Sequence, residues 1–298
     1  MPGSRAGELA ALATACCWTV TALAFERAGK RIGSLSVNLL RLLVALGFLT
    51  LFGALVRGAP LPTDAPPRTW IWLAASGLVG FTAGDLCLFR AFVVIGSRLS
   101  VLLMSLVPPL SALLGRAVMG ETLTAVDGLG MALTAGGVAW VVLERRPAGE
   151  GRPARVPATG ILLGLGGAAG QAAGLVLSKY GMGDYDPFAA TQIRVIAGAC
   201  GFAAVFSAIG WWPQVWAARR DRTALGLVGL GGFFGPFLGV SLSLYAVQHT
   251  TTGVAATLMG ILPVLILPPA ILLNKERVSL RAAAGAVLAV AGVAVLLL

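Results

Sequence analysis

Few side chains in this chain could do chemistry, and most of those lie inside long apolar runs. Asp85 and Arg90 share one run, but five positions is too far along a helix for the best i,i+4 pairing. Arg41 and Arg194 each lie a turn or two inside another run, 153 positions apart. The remaining polar interior consists of Thr14, Trp18, Thr19, Thr21, Gln171, Ser178, Ser241, Ser243 and Tyr245. His249 is the only histidine and falls at a predicted helix end, so no Ser/His/Asp set can be assembled. Asp85 and Glu121 stand in different regions, and no His, Cys, Asp or Glu cluster has metal-ligand spacing. Cys16, Cys17, Cys87 and Cys200 lie in apolar segments without Cys-x-x-Cys spacing and are expected to pack as small core residues. The "GLGGAAGQAAG" at 164–174 lacks the preceding strand and following acid of a dinucleotide fingerprint, and no P-loop is present. No catalysis and no cofactor is expected.

A polar group buried in hydrocarbon is costly unless it is paired or faces a cavity. Asp85 therefore either belongs to a path through the protein or bridges at a helix end. Arg41 and Arg194, repeated in both halves, are expected to be scaffold residues that snorkel or pair. On this reading no basic residue is left at mid-depth to hold a phosphate, and no charged ring suits an ion channel. Trp18, Phe25, Phe81, Phe89, Phe234, Phe237 and Tyr245, with the soft side chains of Met104 and Met259, are candidate lining for an apolar or amphipathic substrate. Each of them also fits ordinary bundle packing.

The elements that position these residues follow from composition. The chain has 298 residues, 57% of them hydrophobic and 11% charged. A soluble domain needs roughly twice that charge. Mean hydropathy is +0.89. This is a polytopic membrane protein, expected all-α, with spans near 8–27, 34–56, 70–94, 99–119, 125–143, 158–178, 187–210, 224–247, 252–273 and 281–298. The first apolar run resembles a signal-peptide core, but its counterpart at 159–178 cannot be one, so both are taken as spans. The +10 net charge sits at span ends, without the aromatic interleaving of a nucleic-acid surface. Lipid is the expected partner, and nucleic acid is not.

The chain is also written twice. At a spacing of 155, Ala91 falls on Ala246, Met104 on Met259, Pro108 on Pro263, Glu121 on Glu276 and Gly137 on Gly292. Residues 1–146 form one five-helix half, 147–157 a linker and 158–298 the second half. An odd number of spans per half makes the repeat inverted, which gives alternating access a geometric basis. Asp85 is not duplicated, because Val240 takes its place. Pro108 and Pro109 in one half, and Pro263, Pro268 and Pro269 in the other, kink the fourth span of each. Gly166, Gly170 and Gly174, with the pairs Gly80/Gly84 and Gly235/Gly239, form small-residue faces for close helix contact. Basic residues favour the bridges after the odd-numbered spans, which places those bridges in the cytoplasm and the termini outside.

The blocks "MSLVPPLSALLGRAVMGETLTAVDGLGMALTAGGVAWVVL" and "MGILPVLILPPAILLNKERVSLRAAAGAVLAVAGVAVLLL" resemble the paired domains of the drug/metabolite transporter superfamily, in its ten-helix EamA-type branch. The resemblance covers nearly the whole chain. It implies a carrier in the inner (plasma) membrane of a bacterium that works as a monomer on a small-molecule substrate. Amino acids, aromatic or hydrophobic ones included, and related metabolites are the implied exports. Hydrophobic cationic drugs, with Asp85 as counter-charge, are the alternative within transport, and a non-transporting scaffold is the alternative outside it. The resemblance selects Trp18, Phe81, Met104, Gln171, Phe237 and Met259 as lining candidates, and Thr21, Asp85 and Tyr245 from the polar interior complete the substrate-contact candidates. Related small pumps carry a glutamate midway along the first helix, where this chain has Cys17 and Trp18, so their proton-antiport mechanism is not carried over. Relatives are commonly drawn with cytoplasmic termini, opposite to the charge count.

Overall fold

Apolar runs of this length can satisfy their backbone in lipid only as helices or closed barrels, and this chain forms helices. The computed structural model describes residues 5–144, 157–266 and 280–297, and among these no strand occurs. The chain is an all-α membrane protein built from two repeats. Among the described residues, seven helical stretches are long and apolar enough to cross: Ala6–Ile32, Ser34–Arg57, Pro67–Ile95, Leu102–Met119, Ala158–Met182, Pro187–Ile209 and Arg222–His249. Three shorter apolar helices, Ala125–Val141, Thr252–Leu265 and Ala283–Leu296, fall on the remaining expected spans.

In chain order the helices are α1 (Ala6–Ile32), α2 (Ser34–Phe52), α3 (Pro67–Gly77), α4 (Asp85–Met104), α5 (Val107–Met119), α6 (Ala125–Glu144) and α7 (Ala158–Met182). They continue with α8 (Pro187–Ile209), α9 (Trp212–Ala218), α10 (Arg222–Gly232), α11 (Val240–His249), α12 (Thr252–Met259), α13 (Leu262–Leu265) and α14 (Leu280–Leu296). Local chemistry sets several of the ends. Asp186 and Asp221 accept from the Ala189 and Ala224 N–H groups at 2.8 and 2.9 Å, capping α8 and α10. Gly120 and Gly210 close α5 and α8 with φ of 69° and 67°, a conformation that a Cβ disfavours.

The duplication extends to the irregularities. A π-helical turn, Leu78–Gly84, joins α3 to α4, and another, Phe233–Gly239, joins α10 to α11 at the same repeat spacing. Both fourth spans break at equivalent places. Pro108, Pro109 and Pro263 have no N–H for the carbonyls of Met104, Ser105 and Met259, four residues earlier. Accordingly α4 ends at Met104 and α12 at Met259, and the prolines open α5 and α13. Pro268 and Pro269 lie outside the described residues.

Three expectations need correction. No break separates spans three and four at 95–98, because the backbone stays helical from Asp85 to Met104 and breaks only at Ser105–Leu106. The bridge after span seven carries an extra helix, α9, with Trp211, Trp212 and Trp216 around it, residue types that suit a membrane interface. Cys16 and Cys200 are exposed on the bundle surface rather than packed in the core.

Glycine faces bring the halves together. A Cβ at Gly174 would lie 3.0 Å from Gly80 Cα, and one at Gly170 would lie 2.7 Å from Gly84 Cα, so α7 rides directly on the π turn of span three. Ser76 and Ser178 tie the same pair, Oγ to Oγ at 2.6 Å. The inverted counterpart is α1 against the second π turn, where Cβ atoms on Gly235 and Gly239 would meet Thr21 and Trp18. Last, α6 and α14 pack through Gly130, Gly137, Gly285 and Gly292.

Candidate functional site

Asp85 is the first residue of α4, immediately beyond the π turn. A π turn holds an extra residue per turn and shifts the register of the side chains that follow, so it determines which face Asp85 occupies. Asp85 is 5% exposed. Its Oδ2 accepts from Arg41 Nη2 of α2, and its Oδ1 from Gln171 Nε2 of α7 at 2.9 Å. Gln171 also reaches the Gly80 carbonyl inside the π turn at 3.4 Å. Arg194 of α8 stands on the other side, 5% exposed, with its guanidinium 4.9 Å from the centroid of the Phe81 ring. The charge of Arg194 acts on Asp85, but the two make no hydrogen bond, and the Arg194 Nε is buried without a partner. This cluster draws α2 and α4 from one half and α7 and α8 from the other.

The arginines are the main revision. Of the two expected roles, to snorkel or to pair, Arg41 takes the second and holds Asp85 through an ion pair. Arg194 is enclosed, with its backbone against Gly77, as the Arg41 backbone is against Gly232 in the inverted position. Basic charge is therefore present in the interior, contrary to the expectation from sequence. Arg90 is exposed and plays no part in holding Asp85.

The structure brings Phe81, Asp85 and Gln171 together and disperses the other candidates. Trp18 and Thr21 pack into the α1 contact with the second π turn, where Thr14 Oγ1 also donates to the Gly239 carbonyl at 3.3 Å. Phe237 joins an aromatic cluster with Phe48 and Phe52 of α2, Phe188 of α8 and Phe233, including a stacked Phe52–Phe188 pair at 4.3 Å. Tyr245 stacks on His249 at the end of α11, 4.1 Å between centroids. Met104 is half-buried and Met259 buried, each at its helix break. Hollows of about 750 Å³, at Arg31, Arg220 and Arg222, and about 420 Å³, between α5 and α6, do not include the cluster. Among the described residues no group of three or more His, Cys, Asp or Glu side chains could hold a metal.

Sequence reasoning also missed a polar latch. Glu121, in the turn after α5, accepts from Lys179 Nζ at 2.6 Å, from the Thr252 N–H at 2.9 Å and from Thr252 Oγ1 at 2.5 Å. Lys179 also donates to the Thr250 carbonyl at 2.6 Å, and Thr252 Oγ1 reaches the Ser111 carbonyl at 3.1 Å. On the same side Tyr185 donates to Asp64 at 2.9 Å, beside Arg57. Partial burial and then the hydrogen bond to Asp64 push the Tyr185 phenol up to about 12. The slight burial of Asp64 is outweighed by these hydrogen bonds, which hold its carboxyl below the usual range. On the opposite side the exposed Arg31–Asp221 pair, at 2.7 Å, ties the halves.

A crystal structure described only as "Crystal structure of protein" resembles this fold with a TM-score of 0.75. It covers 97% of this chain and 95% of its own, at 20% identity, a level at which only the fold is shared. No curated protein matches the chain in sequence. The family model described as "EamA-like transporter family" matches twice, over residues 5–143 and again over 158–298, one match for each inverted half. The chain belongs to the EamA-like transporter family.

Proposed function

We propose that the protein is a secondary carrier that exports amino acids, hydrophobic or aromatic ones among them, and related metabolites by alternating access, acting as a monomer in a bacterial inner membrane. The observation that carries this reading is the Asp85–Arg41–Gln171 cluster with Arg194 beside it, buried where the two inverted halves meet. Polar groups are costly to bury, and in a carrier such groups mark the substrate site. The aromatic cluster around Phe237 supports an apolar substrate side chain. The choice of export and of amino acids rests on the family resemblance. Efflux of hydrophobic cations is less favoured, because Asp85 already accepts from Arg41 and Gln171. Counterflow of labelled amino acids into proteoliposomes tests the reading. Saturable, trans-stimulated uptake is expected, and no saturable flux of any amino acid would remove the claim.

A further inference from the structure

We propose that Arg194 is the docking point for a carboxylate of the transported molecule, which binds there while Asp85 remains on Arg41. The inference rests on the carrier reading above and specifies the chemistry of its substrate.

Charge is the first argument. The cluster holds two guanidinium groups and one carboxylate, so one positive charge is left over in the bundle interior. An uncompensated buried charge is expensive, and a guanidinium stays protonated. Asp85 reaches Arg194 only through space: its ion pair is with Arg41, and it makes no hydrogen bond to Arg194. The leftover charge matches one singly charged anion. A phosphate dianion would need a second free cation, and Arg41 is already committed.

Geometry is the second argument. The buried Nε of Arg194 has no partner. Its guanidinium lies over Phe81, an aromatic surface that holds a cation without using its N–H groups. A side chain at position 80 would begin 3.5 Å from Nη2, so glycine there lets the guanidinium lie close to the π turn beside the α7 backbone. A planar fork with unused donors suits two-point contact with a carboxylate. The site also spans both halves, since Phe81 and Gly80 belong to the first and Arg194 to the second.

The test uses the full chain in proteoliposomes, with labelled phenylalanine counterflow competed by 3-phenylpropionate, phenylalaninamide and phenethylamine. In the unmodified protein the acid should compete about thirtyfold more strongly than the amide or the amine. Arg194→Gln should erase that preference, and Arg194→Lys should keep part of it. Equal competition by acid and amide overturns the proposal while leaving amino-acid transport standing. A preference that survives in Arg194→Gln overturns it too. If Arg194→Gln fails to fold, the acid-against-amide comparison in the unmodified protein decides alone. If no amino acid is carried, direct flux of labelled 3-phenylpropionate separates the two claims. Saturable flux of that acid with the same amide discrimination upholds Arg194 and removes amino acids, and no saturable flux of either acid overturns Arg194 as well.

Discussion

Asp85 is the residue on which the interior balances, because it neutralises Arg41 and orients Gln171. Removing one member of a buried pair strands the other, at a cost of about 3–5 kcal/mol, whereas replacing both with apolar groups can be nearly neutral. D85N is therefore expected to lower unfolding stability by about 3 kcal/mol, with R41M/D85L recovering most of the loss. Unfolding in detergent micelles measures both, and a double variant as unstable as D85N would show that the pair is not the cause. Asp85 stood out in the sequence as a lone acid in an apolar run. Its partner did not, because Arg41 lies 44 positions away and helical periodicity reaches only three or four. The free charge on Arg194 was hidden for the same reason: which carboxylate each arginine meets is decided by tertiary packing.

Helices α7 and α1 closely approach the repeated π turns, Leu78–Gly84 and Phe233–Gly239, and glycine alone makes that approach possible. The faces Gly80/Gly84 and Gly235/Gly239 were legible in the sequence, since small residues four apart specify close contact. The π turns were not legible: Pro236 in the second marks an irregularity without saying which kind, and the pattern of Leu78–Gly84 does not separate π from α. The proline breaks were legible, and their position follows from the carbonyl four residues upstream. The latch was not, because Glu121, Lys179 and Thr252 come from three distant turns. It joins the halves on the side opposite Arg31–Asp221, so these bonds must part if that side is to open. E121Q should weaken the hold on Lys179 and open that side. In a background lacking the four native cysteines, S111C reports the change, since Ser111 Oγ is buried without a partner and the Ser111 carbonyl receives Thr252. Labelling by a membrane-impermeant maleimide should rise about fivefold or more in E121Q, corresponding to about 1 kcal/mol of lost latch stability. An unchanged labelling rate would remove the gating role.

The whole molecule is an inverted pair whose halves share π turns, helix breaks and glycine faces, but not charge. Asp85 is matched by Val240, and each follows its own π turn. Arg41 and Arg194 are matched to each other, so the single carboxylate sits with the arginine of its own half. The two ends of the molecule also carry different polar ties: the latch and the Tyr185–Asp64 bond on one side, the exposed Arg31–Asp221 pair on the other. If the pseudo-twofold axis governs the packing, moving the carboxylate to the other half should move the ion pair with it. D85V alone should destabilise as D85N does. D85V/V240D should regain at least half of that loss through Arg194, and leave Arg41 as the arginine without a carboxylate. Accessibility should change with it: single-cysteine labelling of the double variant should shift toward the side bearing Glu121. Additivity of D85V and V240D, with no recovery in the double variant, would mean that the halves no longer share a site geometry and that the symmetry survives only in the backbone.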